Sequence, residues 1–178
     1  PYVSGVYFLS EYVVSPAYSV VVKLPIVLAD TATAFILYDL VKDITKDDRK
    51  AVVAFALWYL CPFVILISSV HGMFDSISAM LILLTISFVY KRRYMLGGIS
   101  FSLAVLTKFF PVFFVFFLVA YVLKREGFDR NGAKHLLSAF VASIVTLFAV
   151  QFPALLRGQF WESMFFLTDR IGLSTGLA

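Results

Sequence analysis

The sequence predicts an all-α protein, a polytopic bundle of transmembrane helices with about six crossings. Three observations carry that expectation. The first is composition: 61% of residues are hydrophobic and only 15% charged, where soluble domains hold roughly a quarter charged residues. The second is a mean hydropathy of +0.93. A soluble chain of 178 residues could not hide that much apolar surface in one core. The third is the alternation of long apolar runs with short basic clusters. The formal charge of +4 sits in those clusters, so it reads as topology information and not as a nucleic-acid footprint. A single cysteine, Cys61, leaves no intrachain disulfide to form.

The apolar runs long enough to cross about 30 Å of hydrocarbon cover residues 18–41, 51–70, 74–90, 95–108, 110–123 and 136–153. The fourth and fifth admit two readings. "LGGISFSLAVLTKFFPVFFVFFLVAYVL" is either one long helix kinked at Pro111 or a hairpin of two short helices turning at 107–111, because an internal proline removes a backbone bond and crowds the preceding turn. The basic clusters decide for the hairpin. Those at 42–50, 91–93 and 124–134 hold eleven of the fifteen Lys and Arg residues. Six crossings bring all three to the cytoplasmic side. The expected plan is a single transmembrane domain over 1–178, taken as a piece of a longer chain. Segments 1–17, 70–75, 107–111 and 154–178 then lie outside or in a lumen, and loops 42–50, 91–94 and 124–135 lie in the cytoplasm.

The polar residues of the outer side are the candidates for function. "SSVHGMFDSISAM" sets His71 one turn before Asp75, across Gly72. Asp75 opens the third run, where a carboxylate caps a helix and suits its dipole. A His and a carboxylate so close can also act as a base with its orienting partner, or hold hydroxyls. Two such groups do not make a metal site. Lys108 is the only cation in 94–123. It either snorkels to the interface or meets a lipid-linked phosphate at the mouth of the hairpin, since intramembrane ionisable groups are functional hypotheses by default. Lys23 and Asp30 share the first run, seven residues and about 10 Å apart, too far for a direct ion pair. Asp30 lies near mid-membrane, so a partner on another helix is expected, or it is a purely structural carboxylate bonded to the hydroxyls or amides of a neighbouring helix. The tail "FWESMFFLTDRIGLS" carries Asp169 and Arg170 on a possible surface helix; the arginine could grip phosphate bidentately, or the tail is a plain interfacial belt. No phosphate-cradling glycine loop, nucleophile elbow or paired-cysteine motif occurs.

Several stretches nevertheless follow one another in a familiar order. Lys23, Pro25 and Asp30 fit K-x-P-x-x-x-x-D. Trp58 and Pro62 fit W-x-x-x-P, and Ser68, Ser69, Gly72, Asp75, Ser76 and Ile77 fit S-S-x-x-G-x-x-D-S-I. Lys108 and Pro111 fit K-x-x-P; Leu167, Thr168 and Arg170 fit L-T-x-R. Across residues 18 to 175 the chain resembles the GT-C superfamily of integral-membrane glycosyltransferases. Within it, the likeness is to the first mannosyltransferases of glycosylphosphatidylinositol (GPI) synthesis and their prokaryotic relatives.

That resemblance implies a GT-C-like helix bundle and an inverting hexosyl transfer, with mannose the expected sugar. The donor would be a polyprenyl- or dolichyl-phosphate sugar and the acceptor a glycan or glycolipid at the outer or luminal face. No nucleotide sugar, nucleic acid or divalent metal is called for. It implies an endoplasmic-reticulum protein in a eukaryote and a plasma-membrane protein in a prokaryote. It also implies a catalytic carboxylate in a first outer loop, which would precede residue 1. On this reading Lys108 and Arg170 face the departing phosphate, His71 and Asp75 hold hydroxyls, and Lys23, Asp30 and Asp169 are further binding candidates. Cys61 stands where relatives often have Asn. Two other classes fit the residues: a transporter or flippase for a lipid-linked or small anionic substrate, and a noncatalytic subunit of a membrane complex.

Overall fold

A computed structural model describes residues 16–66 and 75–157, and these are helical throughout apart from short connections. The helices are α1 (Pro16–Thr45), α2 (Asp48–Tyr59), a single turn α3 (Pro62–Ile65), α4 (Asp75–Tyr90), α5 (Tyr94–Thr107), a 3-10 stretch (Phe110–Phe114), α6 (Val115–Glu126) and α7 (Arg130–Leu156).

Their ends follow local chemistry. Asp47 Oδ1 accepts from the amides of Arg49 and Lys50 at 2.9 and 3.5 Å and starts α2. Asp129 Oδ1 does the same for α7 through Gly132 N at 3.1 Å. Gly127 ends α6 at φ +89°, a conformation other residues rarely adopt. Pro62 stands at the first position of α3, where its missing N–H costs nothing, so the second apolar run is interrupted at Leu60 and Cys61. Pro111 is the second residue of the 3-10 stretch. Two helices, Val20–Thr45 and Arg130–Pro153, are long and apolar enough to cross a membrane by themselves. The 16-residue α4 and 14-residue α5 are shorter, about 24 and 21 Å at 1.5 Å per residue. The expected six crossings are therefore not established: two helices pass as spans, Pro62 and Pro111 interrupt the second and fifth apolar runs, and turns at 91–93 and 108 bound the two shorter helices.

The helices pack as a row, α2 on α1, α1 on α4, α4 on α5, α5 on α7, with α6 against α7. The chain does turn back between α5 and α6. Lys108 caps α5 in an extended conformation (φ −148°, ψ 145°). The start of α5 then meets the end of α6, where Tyr94 Oη donates to Glu126 Oε1 at 2.5 Å. One kinked helix could not bring those residues together. The three basic clusters gather at this same end. Lys91 pairs with Asp39 and Asp43 of α1 at 2.8 and 3.2 Å, Lys42 pairs with Asp48 at 2.8 Å, and Arg125 donates to Tyr90 O at 2.6 Å.

Large apolar side chains cover the outside, with Phe116 and Phe117 each 74% exposed, while Thr33, Ser76, Ser78, Thr85, Ser87, Ser100 and Ser102 are buried. That is the reverse of a water-solvated core, and it suits lipid, where small and hydroxyl residues make the helix contacts. Thr85 Oγ1 and Ser100 Oγ join α4 to α5 at 2.9 Å. Between α5 and α7, Ser143 Oγ donates to Gly98 O and Ser102 Oγ faces Ser143 O, both at 3.0 Å.

Candidate functional site

At the end opposite the basic clusters, α1, α2, α3 and α4 enclose a cleft of about 590 Å³ lined by Asp30, Trp58, Cys61, Val64, Asp75 and Ser76, among others. Each element delivers its polar group for a local reason. On α1, the small residues Ala29, Thr33 and Ala34 around Asp30 are buried and let the neighbouring helices approach closely. Trp58 stands in the last turn of α2, just before the break that Pro62 imposes. Asp75 opens α4, whose first turn has its positive dipole end there.

Asp30 is 7% exposed. Its Oδ1 and the indole Nε1 of Trp58 are both buried and lack a hydrogen-bond partner among the described residues. The expected partner for Asp30 on another helix is therefore not found there. The residues of α1 that could have turned to it do otherwise: Thr31 and Thr33 donate to their own helix, to Val27 O and Ala29 O at 2.9 and 2.7 Å. An orphaned buried acceptor and an orphaned donor each cost roughly 1–3 kcal/mol, more for a charged group. Both residues line the same cleft.

Asp75 and Lys108 form an ion pair at the edge of this region, with side chains 45% and 48% exposed. The sequence placed both residues on one side; the pairing itself was not expected. Lys108 is thus already neutralised by a carboxylate, and a phosphate could use it only by displacing Asp75. The pair is too exposed to contribute much to stability, typically 0–1 kcal/mol. Lys23 stands half-buried on α1, seven residues before Asp30. His71, Asp169 and Arg170 lie outside the described residues, as do the surface helix expected of the tail and any approach of Arg170 to Lys108. Among the described residues no three His, Cys, Asp or Glu side chains gather as metal ligands.

Trp58 and Cys61 as cleft residues were not singled out by their chemistry. The W-x-x-x-P spacing was the available signal: a proline stops the helix within a turn of the tryptophan and leaves the indole beside a gap.

The comparisons with known proteins concern the chain as a whole and not this cleft. The family model of the GPI transamidase subunit PIG-U matches residues 2–172. Over 127 residues the chain is 29% identical to GPI mannosyltransferase 1 of Saccharomyces cerevisiae, an alignment that covers 70% of this chain and 31% of that protein. The chain thus spans about a third of the length of this curated relative. No solved structure matches. The likeness to GPI mannosyltransferases read from the order of motifs holds, and with nearly its whole length matched, the chain belongs to the PIG-U family.

Proposed function

We propose that this chain is the glycolipid-holding part of an integral membrane protein of the GPI pathway, a subunit that binds a lipid-linked glycan at the Asp30–Trp58 cleft without transferring sugar itself. One observation carries the reading: Asp30 and Trp58 line the same cleft, and Asp30 Oδ1 and Trp58 Nε1 are buried without a hydrogen-bond partner among the described residues. A hydroxyl donates one hydrogen bond and accepts others, so sugar hydroxyls satisfy a carboxylate and an indole together. Family membership favours a subunit, because the matching family is described as a GPI transamidase subunit. In a eukaryote the site of action would be the endoplasmic reticulum.

The second reading is mannosyl transfer from a dolichyl- or polyprenyl-phosphate donor, favoured by the relative named a mannosyltransferase. The Asp75–Lys108 pair weighs against the original role of Lys108 as a free cation at the leaving phosphate. Arg170 and His71 retain their proposed roles toward phosphate and hydroxyls, and Lys23 and Asp169 theirs as neighbours of the ligand.

The test uses the full-length protein in nanodiscs with a fluorescent glycosylphosphatidylinositol. Asp30→Leu should weaken binding about 10- to 100-fold, the loss of a charge-assisted hydrogen bond. Trp58→Phe should weaken it about 2- to 10-fold, the loss of a neutral one. Unchanged affinity in both variants refutes the cleft as the binding site. Mannose transfer from labelled dolichyl-phosphate mannose by the same preparation would replace the binding reading with the transfer reading.

A further inference from the structure

A second site lies at the basic end, away from the Asp30 cleft. The turn between α4 and α5 carries Lys91, Arg92 and Arg93, with Arg92 in the left-handed region at φ 59°, a costly conformation for a side chain of this kind. The turn opens onto a pocket of about 390 Å³ lined by Arg92, Arg93, Tyr94, Leu96 and His135, among others. α5 begins at this pocket, and no side chain caps its first turn, so its dipole and amides add to the positive field. A separate apolar groove of about 490 Å³ runs from Met95 and Lys134 along α7 to Val145 and Thr146. Met95 and Ser138 line both, which makes the two a continuous polar-to-apolar channel on the outside of the bundle. From residue 134 to 146 the groove extends about 18 Å along α7, close to the depth of one leaflet, half of the roughly 30 Å core.

We infer that this channel holds one anionic phospholipid, its phosphate at Arg92 and Arg93 and one acyl chain in the groove between α5 and α7. Charge decides the class of lipid. Arg92, Arg93 and Lys134 supply three cations, and the acid facing them is Glu126, only 10% exposed and held by Tyr94 Oη, with Arg92 Nε at 3.5 Å and His135 Nε2 at 3.9 Å. Three positive charges against one negative leave a surplus of two. Among the described residues Arg93 makes no ion pair, so its whole guanidinium fork is available to a phosphate. The groove below offers almost no polar surface: Leu137, Val141 and Val145 are exposed there at 61%, 50% and 61%. A soluble anion would have no use for that groove. An apolar protein segment would have no use for the arginines.

The experiment takes the full-length protein, stripped of lipid in detergent, and adds dioleoyl phosphatidic acid or dioleoyl phosphatidylcholine, with bound lipid counted by native mass spectrometry. Phosphatidic acid should bind about tenfold or more tightly than phosphatidylcholine, each surface cation being worth roughly fivefold on an anionic lipid. Arg93→Gln should cut that preference about fivefold and Arg93→Lys should restore it, which separates charge from folding. Val141→Trp, filling the groove, should weaken both lipids together. No preference in the wild type, or an unaltered preference in Arg93→Gln, overturns the assignment. Inorganic phosphate displacing phosphatidic acid at equal concentration assigns the pocket to a soluble phosphate instead. Val141→Trp that releases a co-purifying protein or second copy while keeping its lipid assigns the groove to that partner. Either of these results also overturns the phospholipid.

Discussion

Gly98 leaves no room for a Cβ between α5 and α7, and adding one methyl group there tests that interface. A Cβ on Gly98 would stand 2.2 Å from Ala139 O and 2.9 Å from Ala139 C. These are backbone atoms, so α7 itself must move. Overpacking of this kind costs about 1–3 kcal/mol. Displacing α7 also breaks two interhelical contacts, Ser143 Oγ to Gly98 O and Ser102 Oγ to Ser143 O, worth on average about 0.6 kcal/mol each inside a membrane protein. Gly98→Ala should therefore destabilise by about 2–4 kcal/mol, which lowers the melting temperature of a chain this size by roughly 5–15 °C. Gly97→Ala is the control. Its Cβ would meet Val89 Cγ2 at 2.9 Å and no backbone atom nearer than 3.8 Å. That crowding is offset by the gain of about 0.5–1 kcal/mol from replacing glycine in a helix. Both variants are melted in the same detergent, with tryptophan fluorescence as the signal. Equal melting temperatures for Gly98→Ala and Gly97→Ala would refute the packing described for α5 and α7.

Three further outcomes are expected. Asp30→Leu should leave stability unchanged or raise it by about 1–3 kcal/mol, since it removes a buried acceptor that has no partner; a drop in melting temperature means the carboxylate is paired within the fold. Glu126 has its pKa held below the ordinary value of 4.5, first by the Tyr94 hydrogen bond and then by Arg92, with burial opposing. The stability it contributes is present above the unfolded value and is lost as pH falls through the lowered folded one. The gap in melting temperature between wild type and Glu126→Gln should thus be full at pH 7 and shrink below pH 4.5; a gap that does not change with pH would contradict this. Finally, Asn131→Cys should react with a membrane-impermeant maleimide only after permeabilisation and Thr107→Cys without it, and the reverse pattern would invert the orientation assigned to the basic clusters.

The helical class and the return of the chain between α5 and α6 were legible because they rest on averages: apolar runs, and a charge pattern that one fold accommodates. The proline breaks were visible at Pro62 and Pro111, but their effect on span length was not. A proline after Leu60 and Cys61 can kink a helix or stop it, and the sequence alone does not decide which. Asp30 was legible as a buried carboxylate but not as an unpaired one. Its sequence neighbours Thr31 and Thr33 look like available partners, yet threonine in a helix readily donates to its own backbone four residues earlier. The Asp75–Lys108 pair joins residues 33 positions apart. Only the antiparallel course of α4 and α5 brings them together. At the basic end, the cluster at 91–93 read as a topology signal. The pocket beside it depends on His135 and on the groove along α7, neither of which a linear scan of charges includes.

The two ion pairs of Lys91 fasten α1 to the end of α4 at Asp39 and Asp43, and this makes α1 a lever with its pivot off-centre. Asp30 lies nine residues from Asp39, about 13.5 Å along the helix axis. A tilt of roughly 5° about the fastened end carries the carboxylate about 1 Å sideways over that distance. Such a displacement is enough to make or break a hydrogen bond, whose useful range is narrower than 1 Å. A tilt of that size would change the gap facing Asp30 while displacing the basic end little, and substituting Lys91 would remove the two pairs at that end without touching the cleft.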